Sequence, residues 1–151
     1  MNRTKGLRAA ALAALVVAGL WLSGCGSALP AGPNPTLQHF VGGCTASRAK
    51  SHVRVDATSA LRFVPAAVCL RLDGTVTWIN TAADLDHTST DEPSLAADPS
   101  DASIPSGGHG WNLALPSGHS AHLTFRVAGV YRYFCIAHET LGMLGVVVVV
   151  S

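Results

Sequence analysis

The segment YRYFCIAHETLGM, residues 131–143, contains the most informative pattern in the chain. Its first residues have the character of a β-strand, and the strand is predicted to end where a tight loop begins at Cys135. The loop has the spacing C-x2-H-x4-M, which places a thiol, an imidazole and a thioether within nine residues, at Cys135, His138 and Met143. Sulfur ligands suit Cu(I), and imidazole suits both oxidation states of copper. The segment therefore predicts a strand that ends in a copper-binding loop.

A second histidine has to come from elsewhere, because a copper site of this kind uses two histidines and one cysteine in a plane with a weak axial methionine. His87 is the candidate, since it follows the predicted strand 75–80 after a short polar connection and begins another extended run. A lone histidine in that position is more often a surface residue, so its assignment depends on the loop. The predicted ligands are His87, Cys135, His138 and Met143, with Met143 axial.

Short β-strands account for most of the chain from residue 52 onward. The pattern indicates seven of them, at residues 52–57, 61–64, 68–72, 75–80, 121–127, 130–135 and 144–150. Asp73-Gly74 predicts a two-residue hairpin turn between the third and the fourth strand. Helical periodicity longer than about two turns is absent after residue 36. Strands at this spacing, separated by glycine and proline, predict an all-β domain folded as a β-sandwich.

Residues 91–110 interrupt the strand pattern with three prolines and four acidic residues. A segment of this length without periodicity indicates a surface excursion of the chain. Its acidic side chains can steer a basic partner such as a cytochrome toward the domain, or they can simply be solvated. The acidic residues concerned are Asp91, Glu92, Asp98 and Asp101.

The first residues of the chain have the composition of an export signal. Residues 1–24 combine three basic residues with an apolar stretch that ends in small residues, which favours a cleaved signal peptide over a membrane-spanning anchor. Leu22-Ser-Gly-Cys25 resembles the lipobox of bacterial lipoproteins, in which the cysteine receives the lipid. A plain secreted protein is the alternative.

This processing predicts three regions in the chain. They are a signal peptide over 1–24, a lipid-attached tether and N-terminal segment over 25–51, and a copper-binding domain over 52–151. The lipid on Cys25 would hold the domain outside the cytoplasm, on the periplasmic or cell-surface side of a bacterial membrane. Without residues 1–24 the chain has seven basic and nine acidic residues, a formal net charge of −2. A nucleic-acid-binding protein is excluded because no basic stripe remains.

Two further cysteines are candidates for a disulfide. With Cys25 lipidated and Cys135 on the metal, Cys44 and Cys69 remain in an oxidising compartment. Alternation along residues 68–72 turns Cys69 away from the apolar residues of its strand, toward the side that the N-terminal segment can reach. The alternative is a pair of free thiols packed as small hydrophobic residues.

Several of these segments together resemble the cupredoxins of the plastocyanin, amicyanin and halocyanin type. The resemblance covers about residues 52–151 and rests on Phe63-Val-Pro65, Gly74–Asn80, His87-Thr88 and Gly129–Cys135, with His138 and Met143. It implies a Greek-key β-sandwich of about eight strands, one type 1 copper held by the four ligands named above, and transfer of single electrons. The sequence departs from the family at Asp86, where proline is common, and at Thr88, where asparagine is common.

The resemblance also implies how electrons enter and leave. His138 would reach the surface within an apolar patch that docks transient redox partners, such as a cytochrome or a membrane oxidoreductase, and the protein would be a monomer. Neighbours in sequence that can form this patch are Ile136, Ala137 and Leu141. Thr88 can still reach the cysteine loop through its hydroxyl group.

Three alternatives compete with an electron carrier. Copper oxidases and nitrite reductases place histidines beside the cysteine or add a second copper, whereas Cys135 is flanked by Phe134 and Ile136. A copper carrier or sensor often has methionine- or histidine-rich tracts, and this chain has none. A sandwich that has lost its metal is the third. We therefore predict an electron carrier and not an enzyme.

Overall fold

The computed structural model describes residues 40, 41 and 43–151. The predicted signal peptide, Cys25 and the tether up to residue 39 lie outside the described residues. Eight strands lie in the described part of the chain: β1 (Lys50–Thr58), β2 (Arg62–Val64), β3 (Ala67–Asn80), β4 (His87–Asp91), β5 (Trp111–Leu115), β6 (Ser120–Thr124), β7 (Gly129–Phe134) and β8 (Leu144–Val150). Single turns of 3-10 helix occur at Pro93–Leu95, Pro99–Asp101 and Glu139–Leu141. Within the described ranges, no helix has the length and apolar character needed to span a membrane.

β3 is the strand that joins the two layers of the fold. Residues 67–71 pair in parallel with β8, whereas residues 75–80 pair with β1 on one side and residues 75–79 with β6 on the other. Beyond residues 67–71 of β3 the sheet continues with β8, β7, β4 and β5 in that order. Beyond residues 75–80 it continues with β1 and then β2. The all-β prediction of a Greek-key β-sandwich with about eight strands is confirmed. β5 is the strand that the residue pattern did not indicate.

The hairpin predicted at Asp73-Gly74 is wrong, because β3 bends there without reversing. The favoured turn for such a hairpin needs positive φ at both central residues, and only Asp73 has one, at 60°. The bend is instead bonded to Phe125, which accepts from the Asp73 N–H and donates to the Gly74 carbonyl, both at 2.9 Å. Alternation along residues 68–72 places Leu72 on the same face as Val68 and Leu70, but the bend ends this alternation and Leu72 is 38% exposed.

Aromatic side chains fill the space between the layers below the end of β7. Tyr133 is fully buried, and its ring centroid lies 4.7 Å from that of Phe63 and 5.5 Å from that of Trp78. Tyr131, two residues earlier, is 3% exposed. Alternation along residues 130–135 puts both tyrosines on the strand face of Cys135 and predicts that their rings lie inside the sandwich, and their burial confirms this. Packing therefore fixes the strand that leads into the copper-binding loop.

Cys44 and Cys69 are joined by a disulfide, with their Cα atoms 5.4 Å apart. Cys69 lies on the first part of β3, opposite Val148 of β8. Val148 is four residues beyond Leu144, where β8 begins after the loop. The disulfide therefore attaches the segment that precedes β1 to a part of the sandwich remote from the loop that β7 and β8 flank.

Replacing both Cys44 and Cys69 with alanine is expected to lower the free energy of unfolding by about 3 kcal/mol. The disulfide closes a loop across a sequence separation of 25, and this constraint on the unfolded chain would be lost. Denaturant unfolding of the two proteins measures the difference, and a reductant should have no further effect on the variant. An unfolding midpoint equal to that of the wild type would contradict the expectation.

The excursion between β4 and β5 is attached to the sandwich at several points. Ser103 forms an isolated β-bridge with Arg132 of β7, and its N–H also donates to Oδ1 of Asp91 at 3.1 Å. Asp91 was expected at the start of the surface excursion, but it is the last residue of β4 and is fully buried. It cannot serve as an exposed steering charge, which corrects that part of the acidic-loop hypothesis.

Asp91 is expected to make the stability of the fold depend on pH. Burial raises the pKa of this carboxyl from 3.8 to about 7. The folded protein therefore binds the proton more tightly than the unfolded chain does, and stability is lost as the pH rises from about 4 to about 7. Asp91→Asn keeps an acceptor for Ser103 and should remove this slope. Denaturant unfolding at pH 4 and pH 8 tests it, and equal pH slopes in variant and wild type would refute it.

Candidate metal centre

The loop between β7 and β8, residues 135–143, is closed by its own backbone. The Cys135 N–H donates to the Met143 carbonyl at 3.1 Å, the Met143 N–H to the His138 carbonyl at 3.1 Å, and the His138 N–H to the Cys135 carbonyl at 3.0 Å. Gly142 has a φ of 82°, a conformation that glycine adopts without strain and that turns the chain back toward β8. The three loop residues predicted as ligands are thus linked to one another through the main chain.

His87 reaches this loop because β4 lies beside β7. It is the first residue of β4, and further along the same strand Thr90 pairs with Phe134, the last residue of β7. On its other side β4 pairs with β5, where His87 lies opposite Leu115. His87 is 2% exposed. Neighbouring strand ends therefore bring His87 to the loop.

The donor atoms of the two histidines and the cysteine form a compact triangle. The Nδ1 atoms of His87 and His138 are 3.2 Å apart, and Sγ of Cys135 lies 3.7 Å from the first and 3.3 Å from the second. The centre of such a triangle is about 2.0 Å from each corner, close to an ordinary metal–nitrogen bond length. The residues present therefore fit a single metal ion without rearrangement of the strands.

The chemistry of the donor set is that of copper. Two imidazoles and a thiolate in one plane, with a weak axial thioether, are the ligands of a type 1 copper site. Met143 is fully buried and its backbone is bonded to both loop ligands. Within the described residues the group contains no carboxylate, the ligand that hard divalent ions prefer.

Thr88 holds the cysteine loop against β4. Its N–H lies 3.3 Å from Sγ of Cys135, and its hydroxyl oxygen accepts the N–H of Ile136 at 2.9 Å. The hydroxyl of Thr90 donates to the same oxygen at 3.0 Å. The expectation that Thr88 bonds across to this loop through its hydroxyl group is confirmed. Such contacts around the ligands orient them and tune the metal.

The surroundings of His87 favour its neutral form. Burial, followed by the proximity of His138, lowers the pKa of His87, and a neutral imidazole is the form that binds a metal. Asp86, which stands where the family commonly has proline, accepts the N–H of Ser117 at 3.0 Å. This bond fixes the connection before β4 by other means than a proline ring.

Most residues between Cys135 and Met143 lie at the surface. Ile136 is 42% exposed and Leu141 is 57% exposed, Ala137 is also exposed, and His138 is half-buried among them. The predicted docking residues are thus solvent-exposed and surround His138, the one predicted ligand that is not fully buried. Arg62 of β2 donates from Nη1 to the Leu141 carbonyl at 3.1 Å and holds this part of the loop.

Two contacts to this loop were missed by the sequence analysis. Arg62 is separated from Leu141 by 79 residues, and the buried carboxylate of Glu139 accepts hydrogen bonds from the excursion at Ala97 and Asp98. The only signal for Glu139 is its place directly after a predicted ligand. Nothing in the local pattern indicates either partner.

Known proteins resemble this chain in sequence and in fold. The model of the copper binding proteins, plastocyanin/azurin family, matches residues 49–150. Plastocyanin from Scenedesmus fuscus is 37% identical over 92 residues, which cover 61% of this chain and 90% of that protein.

The fold is similar to those of solved cupredoxin structures. Auracyanin from Roseiflexus castenholzii has a TM-score of 0.51 at 23% identity, covering 68% of this chain and 99% of that one. A methionine-to-glutamine mutant of amicyanin in its Cu(I) form has a TM-score of 0.51 at 24% identity, covering 70% and 88%. The family match and the plastocyanin relative, with the donor set described above, lead to one conclusion. The chain belongs to the plastocyanin/azurin family of copper-binding proteins and is a cupredoxin, an electron-transfer copper protein and not an enzyme.

Proposed function

We propose that this cupredoxin is a lipid-anchored, extracytoplasmic monomer that shuttles single electrons between redox proteins through one type 1 copper. The observation that carries the proposal is the triangle of Nδ1, Nδ1 and Sγ donor atoms at 3.2–3.7 Å, placed next to an exposed apolar surface. The proposed ligands are His87, Cys135, His138 and Met143. When bound, copper supplies the one-electron change between Cu(II) and Cu(I).

The protein's own residues keep the ligand positions constant. His87 is held at a strand end and Cys135 by the Thr88 N–H, so the protein's own backbone helps to position both ligands. The loop backbone links His138 and Met143. A site of this kind accepts both oxidation states with little movement, and burial of Cys135 excludes water from the thiolate.

The exposed residues of the loop form the proposed docking patch, Ile136, Ala137 and Leu141. Apolar side chains beside the half-buried His138 let a partner approach the ligand closely without an intervening layer of water. Transient redox partners bind through small surfaces of this kind. We propose a cytochrome or a membrane oxidoreductase as the partner.

Leu141→Gln tests the docking patch. The substitution removes apolar contact area without adding charge, and the second-order rate constant with a c-type cytochrome is expected to fall about tenfold. Leu72→Gln is the matched control, because Leu72 is an exposed leucine at the bend of β3 and outside the patch. Equal rate constants for the Leu141 variant and the wild type, or an equal loss in the control, would overturn the docking assignment.

The anchor is tested with Cys25→Ala. In a bacterial host the wild-type chain should be found with the membranes, labelled by a radioactive fatty acid, whereas the variant should be neither labelled nor processed at that residue. A wild-type protein that is unlabelled, or a variant that still carries label, would refute lipidation at Cys25. Protease added to intact cells or spheroplasts then reports whether the domain faces away from the cytoplasm.

A further inference from the structure

Glu139 is an acidic side chain buried beside the copper-binding loop. It is 5% exposed, and buried carboxylates are uncommon unless they are paired. Within the described residues Glu139 has no salt-bridge partner. Its hydrogen-bond donors are two consecutive backbone N–H groups, of Ala97 to Oε2 at 2.8 Å and of Asp98 to Oε1 at 2.9 Å, and the carboxyl group of Asp101 also lies beside it.

A carboxylate is the side chain that suits this pair of donors. A carboxylate offers two acceptor oxygens and no donor, whereas an amide offers one acceptor oxygen and one donating NH2 group. The chemistry of Glu139 is therefore matched to the two N–H groups and not merely to filling the space.

The segment on the other side of this contact is itself fixed. Ala97 and Asp98 lie between the turns Pro93–Leu95 and Pro99–Asp101, and the side chain of Asp98 accepts the N–H of Ser100 at 2.9 Å. Beyond them the β-bridge of Ser103 ties the excursion to β7. Glu139 therefore connects the copper-binding loop to a braced part of the sandwich.

Besides Glu139, one other side chain among the described residues bonds the turn Glu139–Leu141, and it is Arg62 on the Leu141 carbonyl. Glu139 directly follows His138 and is the first residue of the turn Glu139–Leu141. His138 immediately precedes this turn and has a φ of −128°. The ring of His138 is half-buried and its neighbours Ala137 and Thr140 are exposed, so core packing does little to orient it. The backbone at residue 139 thus helps to decide where the imidazole of His138 lies.

We propose that Glu139 is a positioning residue for electron transfer, whose carboxylate clamps the turn after His138 to Ala97 and Asp98 and keeps this ligand in place in both oxidation states. The inference rests on the proposed function, because it concerns the same copper ligand. It also gives a role to the excursion between β4 and β5, which serves as the fixed support for the loop.

The test compares the full chain with Glu139→Ala and Glu139→Gln, each loaded with copper. Electron self-exchange, measured by NMR line broadening in mixtures of the two oxidation states, is expected to fall at least about tenfold in Glu139→Ala. The Cu(II) EPR spectrum should change in the same variant. Glu139→Gln keeps one of the two acceptors and should be intermediate in both measurements.

Glu92→Gln is the matched control. It removes one negative charge from the excursion, but Glu92 bonds the hydroxyl of Ser94 and not the copper-binding loop. Its self-exchange rate and EPR spectrum should equal those of the wild type. A Glu139→Ala protein that is less stable but has the wild-type rate and spectrum would overturn the proposal, as would an equal loss in Glu92→Gln. A wild-type chain that binds no redox-active copper would instead refute the proposed function itself.

Discussion

Cys135→Ser is expected to abolish the blue colour of the copper-loaded protein and its reversible one-electron reduction, while the sandwich stays folded. The colour of a type 1 site arises from charge transfer between the cysteine sulfur and Cu(II), and a hydroxyl group does not replace the thiolate. Serine fits the fully buried position of Cys135 because it is slightly smaller than cysteine. The backbone of residue 135 keeps its hydrogen bonds to the Met143 carbonyl and to the His138 N–H.

Visible absorption of the copper-loaded variant and its titration with ascorbate measure this effect. The Cys44→Ala, Cys69→Ala double variant serves as the control, because it loses two other sulfur atoms and should remain blue. Far-UV circular dichroism separates loss of the site from loss of the fold. A blue Cys135→Ser protein would show that another residue supplies the thiolate.

Tyr133→Ala is expected to lower the free energy of unfolding by about 3–5 kcal/mol, as large-to-small aromatic substitutions in cores do. The ring is fully buried between Phe63, Trp78 and Trp111, with centroid distances of 4.7, 5.5 and 6.0 Å. It also covers Gly145 on the neighbouring strand β8, where a Cβ atom would overlap it. Removal of the ring would therefore leave a cavity between the two layers of the sandwich, directly below the copper-binding loop.

Tyr133→Phe is the control for this prediction. Among the described residues the hydroxyl of Tyr133 makes no hydrogen bond of good geometry, so its removal should change the free energy of unfolding by less than about 1 kcal/mol. Guanidinium unfolding of the three proteins gives the comparison. Equal losses in the alanine and phenylalanine variants would show that the hydroxyl, and not the ring, stabilises the core.

Features that depend on residues close in sequence were the ones that could be predicted. The spacing from Cys135 to Met143 lies within one loop, so its chemistry is visible without a fold. Alternation along β7 likewise placed Tyr131 and Tyr133 inside, because the side-chain period of a strand is local. The all-β architecture followed from many such short strands.

Features that depend on the path of the chain in space could not be predicted in the same way. Asp73-Gly74 is compatible with a hairpin and with a bend, and the bonds from Phe125, far along the chain, decide between them. The burial of Asp91 depends on the return of the excursion at Ser103. Glu139 looks like any charged loop residue until Ala97 and Asp98 come beside it.

Titration of the full chain with Cu(II), followed by visible absorption and EPR through a cycle of ascorbate reduction and reoxidation, tests the central claim most directly. One equivalent of copper should produce an intense blue colour and an EPR spectrum with the narrow hyperfine splitting of a type 1 site. The colour should bleach on reduction and return on oxidation without loss of metal. A colourless protein, or copper with the EPR spectrum of an ordinary tetragonal complex, would contradict a type 1 electron carrier.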